Sequence, residues 1–263
     1  MGSISEQAAR LLLDAHRRRH RIDELPVSCR PLDLASGYAI QDTLLASTGE
    51  HLAGYKIAAT SEAGQAHIGV DHPIAGGLVA SHLCEPGACV SLVGNQMCAV
   101  EGEFVFEFER PLMPKPTPYS RDQVMQAVGS LRLGIEVPDS RLNNFARAGA
   151  PQLVADNACA HRFILGPAIA CEWRADNLAE QVVELWIDGR EVARGVGANA
   201  LGDPRDALVW LVNHCSSRDQ ALGSGQFVTT GVCAGPTEVS PGQAVVARFG
   251  RYGEVDMTLS SDV

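Results

Sequence analysis

Apolar and acidic residues alternate along residues 100–109, in the order Val-Glu-Gly-Glu-Phe-Val-Phe-Glu-Phe-Glu. A period of two is typical of a β-strand, because successive side chains of a strand point to opposite faces of the sheet. The pattern therefore predicts a strand with one apolar face and one carboxylate face. The apolar face carries Phe104, Phe106 and Phe108, and the other carries Glu101, Glu103, Glu107 and Glu109.

Within this strand, Glu101 and Glu103 lie one pleat repeat apart, roughly 7 Å along the backbone. Both carboxylates could reach one small cation from the same side of the sheet. The alternative is an edge strand whose solvent-facing side is acidic, a common arrangement that the Glu-x-Glu motif alone favours. A metal site at this strand needs support from elsewhere in the chain.

Capping residues and apolar residues at helical spacing predict helices in four places. These helices begin after Ser3, Asp33, Ser120 and Asp203. The second ends at Gly49, and the apolar stripe of the third extends to Leu131. Strands are predicted at residues 53–60, 132–137, 182–187, 191–194, 226–230, 244–249 and 254–259. This order of helices and hairpins predicts an α+β fold and not a regular βαβ alternation.

The segment over residues 69–77 is predicted to be a loop, in which Asp71 is a candidate Asx-turn residue. Four prolines in residues 111–118 indicate a connection over the surface. The sequence contains no internal repeat and no clear linker. We therefore predict one domain over residues 1–263, with a mostly helical part over 1–80 and a β-rich catalytic part over 81–263.

The net charge of −10 argues against a nucleic-acid or anionic-membrane partner, since both favour clustered Lys and Arg. No apolar run approaches the ~18 residues that a membrane span needs, and the N-terminal stretch is amphipathic. A cytoplasmic protein is expected. The eight cysteines include no Cys-x-x-Cys pair, which favours reduced thiols.

Two side chains in apolar surroundings are candidates for chemistry. Lys56 interrupts an apolar strand, so its ammonium either extends to solvent, the commoner outcome, or meets an anion. Glu136 is flanked by Leu133, Ile135 and Val137, unlike a solvated loop acid. If Glu136 met Glu101 and Glu103, their repulsion of about 1 to 4 kcal/mol per pair would favour a bound cation. The sequence alone leaves their meeting open.

Other catalytic motifs find little support. The glycines around residues 195–202 lack Gly-x-Gly-x-x-Gly spacing, and the histidines lack zinc-ligand spacing. Cys159 and His161 are two residues apart and keep a thiol nucleophile open. A packed cysteine beside a hydrogen-bonded histidine is the commoner arrangement. A hard-cation site is therefore the main chemical hypothesis.

Several motifs in a fixed order resemble the 2-keto-4-pentenoate hydratase and 4-oxalocrotonate decarboxylase family, within the wider fumarylacetoacetate hydrolase fold. The resemblance covers nearly the whole chain, and its specificity lies in the ordered set. The motifs are Gly54-Tyr55-Lys56-Ile57, Gly69-Val70-Asp71-His72-Pro73, Glu101-Gly102-Glu103, Glu136-Val137-Pro138-Asp139-Ser140-Arg141, Ala155-Asp156-Asn157-Ala158, and Leu201-Gly202-Asp203-Pro204 with Trp210-Leu211-Val212-Asn213.

This resemblance implies a fold of layered mixed β-sheets with flanking helices and a helical N-terminal segment. It implies a Mg²⁺ or Mn²⁺ site and a small 2-oxo or 2-hydroxy acid substrate. The implied site residues are Glu101, Glu103 and Glu136 as metal ligands, Lys56 and Asp71 as catalytic residues, and Asn157, Cys159 and Thr230 as substrate-binding residues. A homo-oligomer is expected, as is association with another enzyme of the pathway.

The implied activity is hydration of a small 2-hydroxy-dienoate in aromatic-compound catabolism. The alternatives are a 4-oxalocrotonate-type decarboxylase, a catalytically silent relative that serves as a binding partner, and an acylpyruvate-type hydrolase. A decarboxylase substrate has a second carboxylate, for which His161 and Arg162 are candidate partners. The chain departs from the family pattern at Cys159-Ala160-His161 and at Ala58-Ala59, which affects the expected substrate more than the metal.

Overall fold

Residues 3–262 are described by the structure, a computed structural model. The α-helices are α1 (Ile4–Arg17), α2 (Leu34–Thr48), α3 (Glu62–Ile68), α4 (Arg121–Ala127), α5 (Ala150–Ala155) and α6 (Pro204–Ser217). The strands are β1 (Leu52–Ala58), β2 (Ile74–Val79), β3 (Leu83–Cys84), β4 (Cys89–Ser91), β5 (Ala99–Phe108), β6 (Val128–Val137), β7 (Arg162–Ala168), β8 (Val182–Ile187), β9 (Arg190–Val196), β10 (Phe227–Thr229), β11 (Ala234–Glu238), β12 (Ala244–Arg248) and β13 (Glu254–Ser260). This content confirms the predicted α+β class.

The strands form two mixed sheets. The larger has eight strands in the order β2-β1-β10-β5-β6-β7-β3, and β11 also pairs with β5. The smaller has five strands in the order β4-β13-β12-β8-β9. In the larger sheet β1 pairs with β10 in parallel, whereas β5 pairs with both β10 and β6 in antiparallel fashion. The long hairpin-like pair β5 and β6 is therefore central to this sheet.

The predicted apolar face of β5 packs against the smaller sheet. Phe104 and Phe249, at the end of β12, have their ring centroids 5.1 Å apart in an edge-to-face arrangement. On the same face, a Cβ at Gly102 would meet the side chain of Val183 on β8 at 3.2 Å. Burial of this face at roughly 25 cal/mol per Å² of apolar surface holds the two sheets together. The carboxylate face of β5 points the other way.

The N-terminal helices cover one end of the larger sheet. Capping boxes begin α1 at Ser3 and α2 at Asp33, and α2 ends at Gly49 with φ +71°, as the sequence predicts. The buried amide of Gln41 donates to the carbonyl of Ala75 at 2.8 Å and to that of Val154 at 2.9 Å, which ties α2 to β2 and α5. None of the helices in residues 3–262 has the length and apolar character needed to cross a membrane.

Two element predictions are wrong. The loop predicted over residues 69–77 is wrong from Ile74 onward, because residues 74–77 belong to β2, a fully buried strand. A Cβ at Gly76 would lie 2.3 Å from the carbonyl oxygen of Asn157, so this glycine reflects close backbone approach and not a turn. The helix predicted to reach Leu131 ends at Ala127, because β6 takes up pairing with β5 from Val128.

The first 80 residues contain α1, α2 and α3 together with the strands β1 and β2. The larger sheet therefore begins within the part of the chain that we predict to be mostly helical. The division of a single domain into these two parts stays a prediction.

Candidate metal centre

Three glutamates meet on one face of the larger sheet. Glu101 on β5 and Glu136 on β6 are direct cross-strand partners, and Glu103 lies two residues further along β5. Residues opposite one another in a sheet share a face, as do residues two apart in one strand. One carboxylate oxygen from each glutamate lies within 4.8 Å of the others. The structure thus brings together the three carboxylates whose meeting the sequence left open.

Their environment disfavours three negative charges. Glu103 and Glu136 are completely buried, and Glu101 is half-buried. Burial, and then the charge of Glu136, raises the pKa of Glu101 to about 8. Burial, followed by the charges of Glu136 and Glu101, also raises the pKa of Glu103 well above its usual range. Like charges directly opposite in a sheet are destabilising, so this cluster calls for protons or a cation.

Hydrogen bonding leaves most of these carboxylate oxygens available. Oε2 of Glu103 accepts a hydrogen bond from the backbone N–H of Gly231 at 2.7 Å. Within residues 3–262, Oε1 of Glu103 and both carboxylate oxygens of Glu136 are buried without a hydrogen-bond partner. An unpaired buried acceptor is costly. A set of three carboxylates with free oxygens fits a hard divalent cation such as Mg²⁺ or Mn²⁺.

Gly231 must be glycine to hold Glu103 in this way. Its φ is +92°, in a region that favours glycine. A Cβ at this position would lie 2.4 Å from the side chain of Thr60. The glycine therefore lets the backbone N–H approach the carboxylate closely.

Lys56 lies on the same face of the sheet as the glutamates. Its residue on β1 pairs with Thr229 on β10, which in turn pairs with Val105 on β5, two residues after Glu103. The lysine is 3% exposed, and its Nζ lies 3.1 Å from Oε1 of Glu136 at ion-pair distance, without hydrogen-bond geometry. Lys56 therefore meets an anion and does not extend to solvent.

The charge of Lys56 follows from this contact. Burial is the largest single influence and lowers the pKa of the ammonium, but the neighbouring negative groups, with Glu136 first and Glu101 next, together outweigh it. The net pKa of Lys56 is raised, so the side chain stays charged. The buried hydroxyl of the neighbouring Thr229 has no hydrogen-bond partner among the described residues.

A cavity of about 710 Å³ opens beside Lys56 and Glu101. One part of its wall is apolar and contains Ile68, Met97, Phe145, Leu153 and Val232. Polar side chains that sequence reasoning missed also line it, namely Thr60, Gln96 and Asn199, with His67 from α3. Only Thr60 had a local signal, because it is the last residue of the strand predicted over residues 53–60, which also contains Lys56. Gln96 and Asn199 are distant from Lys56 in sequence, and His67 is brought to the cavity by α3.

The family model for the fumarylacetoacetate (FAA) hydrolase C-terminal domain matches residues 57–260 of this chain. This range includes all three glutamates. The chain belongs to the fumarylacetoacetate hydrolase family. The resemblance and the layered-sheet fold that it implied are thereby confirmed.

Relatives within this family carry two activity names. The chain is 31% identical over 263 residues to a 2-keto-4-pentenoate hydratase of Burkholderia vietnamiensis, covering 98% of each protein. It is 31% identical over 201 residues to a 4-oxalocrotonate decarboxylase of Pseudomonas sp. strain CF600, covering 76% of this chain and 75% of that protein. The structure of 4-oxalocrotonate decarboxylase from Pseudomonas putida G7, complexed with magnesium and adipate, has a TM-score of 0.87 at 26% identity and 97% coverage of both chains.

Among the substrate-binding residues implied by the family resemblance, Cys159 lines the cavity. Burial is the main reason that the pKa of its thiol is raised to about 12. The thiol therefore stays protonated near neutral pH, which disfavours the thiolate nucleophile that the sequence kept open. His161 lies outside the cavity lining.

Asn157 and Thr230 do not line this cavity, and the polar atoms of their side chains are hydrogen-bonded to the backbone. Oδ1 of Asn157 accepts from the N–H of Gly77 at 2.7 Å, and its Nδ2 donates to the carbonyl of Gly77 at 2.8 Å. The hydroxyl of Thr230 donates to the carbonyl of Phe104 at 3.1 Å. Both side chains support the backbone around the site in this structure. Their substrate contacts stay predictions.

Asp71 is also outside the cavity lining. Its side chain is 95% exposed and pairs with Nδ1 of His72 at 2.5 Å. The hydrogen bond from His72 lowers the pKa of this carboxyl. In this structure Asp71 is thus a solvent-facing turn residue, and its catalytic role stays a prediction.

Proposed function

We propose that this protein is a metal-dependent hydratase that adds water to a small 2-hydroxy-dienoate of the 2-keto-4-pentenoate type. The observation that carries the proposal is the cluster of Glu101, Glu103 and Glu136 with Lys56 at one end of a cavity whose remaining wall is mostly apolar. The chain's match to named hydratases over its full length supports the same activity.

The three glutamates would hold Mg²⁺ or Mn²⁺. Once bound, the cation supplies a Lewis acid for the negative charge that develops on the C2 oxygen of the substrate. Three carboxylates exceed the charge of a dication by one, so an anionic substrate needs another positive group. Lys56 supplies that charge from within the buried face.

Lys56 also carries a proton at Nζ. Its raised pKa keeps the ammonium protonated near neutral pH, so Lys56 is a hydrogen-bond donor and a fixed positive charge, not a base. The hydroxyl of Thr60 and the side-chain carbonyls of Gln96 and Asn199, whose amide nitrogens donate to the backbone, can orient the attacking water in the same cavity. The apolar wall beyond them excludes bulk water from the rest of the substrate.

The cavity lining favours a monocarboxylate substrate. In the described chain, Lys56 is the only permanently cationic side chain that lines this cavity. A buried second carboxylate without a cation is costly. The guanidinium of Arg162, a candidate partner for that carboxylate, instead donates to the backbone carbonyl of Ser81. These contacts support hydration over decarboxylation of a dicarboxylate.

Decarboxylation of a 4-oxalocrotonate-type acid is the second candidate. It is favoured by the similarity in fold to the decarboxylase from Pseudomonas putida G7. In that reaction the metal held by the same carboxylate cluster, together with Lys56, would stabilise the negative charge left on the substrate when CO₂ departs. His67, which also lines the cavity, is then the candidate partner for the second carboxylate.

Product analysis by NMR separates the candidates. The enzyme is incubated with Mg²⁺ and either 2-hydroxypentadienoate or 4-oxalocrotonate, and the products of water addition and CO₂ loss are quantified. We expect water addition to 2-hydroxypentadienoate, and its loss in Glu103→Gln. Glu107→Gln is the matched control, because Glu107 is on the same strand face but is bound by Ser130 and Arg132. CO₂ loss alone would overturn the hydratase assignment, and inertness to both acids would overturn the enzyme assignment.

We further propose a homo-oligomer in the cytoplasm, as the family resemblance implies, with association with another enzyme of the same pathway. The net charge of −10 supports the expectation that neither nucleic acid nor membrane is a partner. Sedimentation velocity on the purified protein tests the oligomer, since a monomer at all concentrations would contradict it.

A further inference from the structure

A second cavity of about 160 Å³ lies between α1, α2 and the end of β2. Its lining is separate from that of the metal cavity. One wall is formed by aliphatic side chains that include Leu12, Leu13, Leu44 and Leu45. The facing wall is polar and includes His16, Arg17, His82, Arg141 and Asn157. The space therefore has an apolar side and a basic side.

Positive charge exceeds negative charge around this cavity. Arg141 is buried and paired with Asp156, while Arg162, beside the cavity, donates only to a backbone carbonyl. Arg17 has no ion-pair partner within residues 3–262. Glu50 is the one acidic side chain that residues 3–262 contribute to the lining, and it accepts hydrogen bonds from the N–H and the hydroxyl of Ser81, both at 2.8 Å.

Burial, with a further contribution from the nearby arginines, lowers the pKa of the histidines around this cavity. Burial, and then Arg141 and Arg162, lowers the pKa of His82 to about 3, against a smaller opposing influence from Glu50. Burial, Arg162 and Arg141 likewise lower the pKa of His161, whose ring meets that of His16 edge to face at 6.0 Å, to about 2. Neutral rings next to unbalanced arginine charge are the surroundings that an anion would stabilise.

Hydrogen-bonding capacity on the basic wall is also unused. Nδ1 of His82 is buried without a partner in the described part of the chain. Buried polar atoms are nearly always paired, so this nitrogen points to a missing ligand with acceptor oxygens, to which the exposed guanidinium of Arg17 can also donate. The leucines opposite require that the rest of the ligand be apolar. About 160 Å³ corresponds to roughly five water volumes, which suits a short chain.

We propose that this cavity binds a short aliphatic monocarboxylate, with its carboxylate at Arg17 and His82 and its alkyl chain against the leucines of α1 and α2. The site is separate from the metal centre but adjoins it through the backbone. Asn157 lines this cavity, and the next two residues, Ala158 and Cys159, line the metal cavity. All three have positive φ, so the two cavities share one tightly constrained turn.

The proposal can be tested by titrating the metal-free protein with sodium butyrate at constant ionic strength, while the ring signals of ¹³C-labelled histidine are followed by NMR. We expect saturable shifts of the His16, His82 and His161 signals, with the other five histidines unaffected. Arg17→Gln should raise the dissociation constant about five- to tenfold. Arg18→Gln, one residue along α1 and paired with Asp14, is the matched control and should bind as the parent does.

Other outcomes would overturn the proposal. One is the absence of saturable shifts, and another is that Arg17→Gln and Arg18→Gln weaken butyrate binding equally. Equal binding of butylamine would also contradict the proposal. The same shifts with chloride alone would indicate an adventitious ion only. Glu103→Gln must retain butyrate binding. Loss of binding in that variant would place butyrate at the metal centre, and retention would keep this site independent of the proposed hydratase activity.

Discussion

Nζ of Lys56 lies 3.1 Å from Oε1 of Glu136, although β10 and β5 separate their strands in the sheet. Both side chains are almost fully buried. A buried ion pair is strongly destabilised when one partner is removed, because the other charge is left uncompensated. Lys56 is therefore expected to contribute both to the stability of the metal-free protein and to the activity of the metal centre.

Replacing Lys56 by methionine tests that connection. The substitution leaves the carboxylate cluster without its cation, so it should lower the free energy of unfolding of the metal-free protein by about 3 kcal/mol or more. Mg²⁺ should restore much of this loss, while turnover falls at least ~100-fold because the substrate loses its cationic partner. Thermal unfolding with and without Mg²⁺, together with steady-state rates, measures both effects. Lys115→Met, away from the cavity lining, is the control; an active Lys56→Met enzyme would contradict the assigned role.

The raised pKa of Glu101 predicts a pH-dependent stability of the metal-free protein. The folded state holds a proton on this carboxyl up to about pH 8, whereas the unfolded chain releases it near the ordinary value of 4.5. Folding stability should therefore decrease as the pH rises between these values. Mg²⁺ replaces the proton, so the rise in melting temperature that it causes should be larger at pH 8 than at pH 6. An equal rise at both pH values would argue against protonated carboxyls in the cluster.

Alanine at Gly231 should disturb the centre more than its positive φ alone explains. The new Cβ would collide with Thr60 and displace the N–H that Glu103 accepts from. We expect a loss of at least ~2 kcal/mol in the free energy of unfolding and weaker Mn²⁺ binding. Gly242→Ala is a matched control, since Gly242 has φ +89° and no atom within 4 Å of a Cβ. Equal losses in the two variants, by urea titration, would refute the close-approach argument.

Asp156 is the acceptor of a fully buried polar network. Its carboxylate accepts from the hydroxyl of Ser140 at 2.6 Å and from the backbone N–H of Arg141 at 2.9 Å, and it pairs with the Arg141 guanidinium. Asp156→Ala should cost about 3 to 5 kcal/mol of folding stability, because Arg141 is left unpaired. Asp14→Ala, which breaks the exposed pair with Arg18, should change stability little. Denaturant unfolding that ranks the two variants equally would contradict this account.

The sequence predicted much of the metal centre because local patterns carry it. Alternation in β5 placed Glu101 and Glu103 on one face, and the apolar flanks of Glu136 marked that acid as buried. The direct pairing of Glu101 with Glu136 depends on the register of two long strands separated by α4, which no local pattern specifies. The resemblance to the family, and not a local pattern, implies that these two glutamates share one metal site.

Residues in irregular backbone were harder to predict. Asn157 has a polar side chain of the kind that binds ligands, but its amide is hydrogen-bonded to the backbone of Gly77. This contact depends on how β2 packs in three dimensions, so the sequence alone does not predict it. Gly76 is a residue type typical of turns, yet it lies in the buried strand β2, because strand pairing overrides the local preference of the residue. Gln96 and Asn199 reach the cavity from loops whose paths depend on the whole fold.

The central claim is that Glu101, Glu103 and Glu136 hold one divalent cation, and Mn²⁺ titration followed by electron paramagnetic resonance tests it most directly. The parent protein and Glu107→Gln should each bind one Mn²⁺ per chain with the same affinity. Glu136→Gln should weaken that binding at least ~10-fold, since the loss of a ligand charge costs well over 1 kcal/mol. Unchanged Mn²⁺ affinity in Glu136→Gln, in a protein that remains folded, would contradict the account.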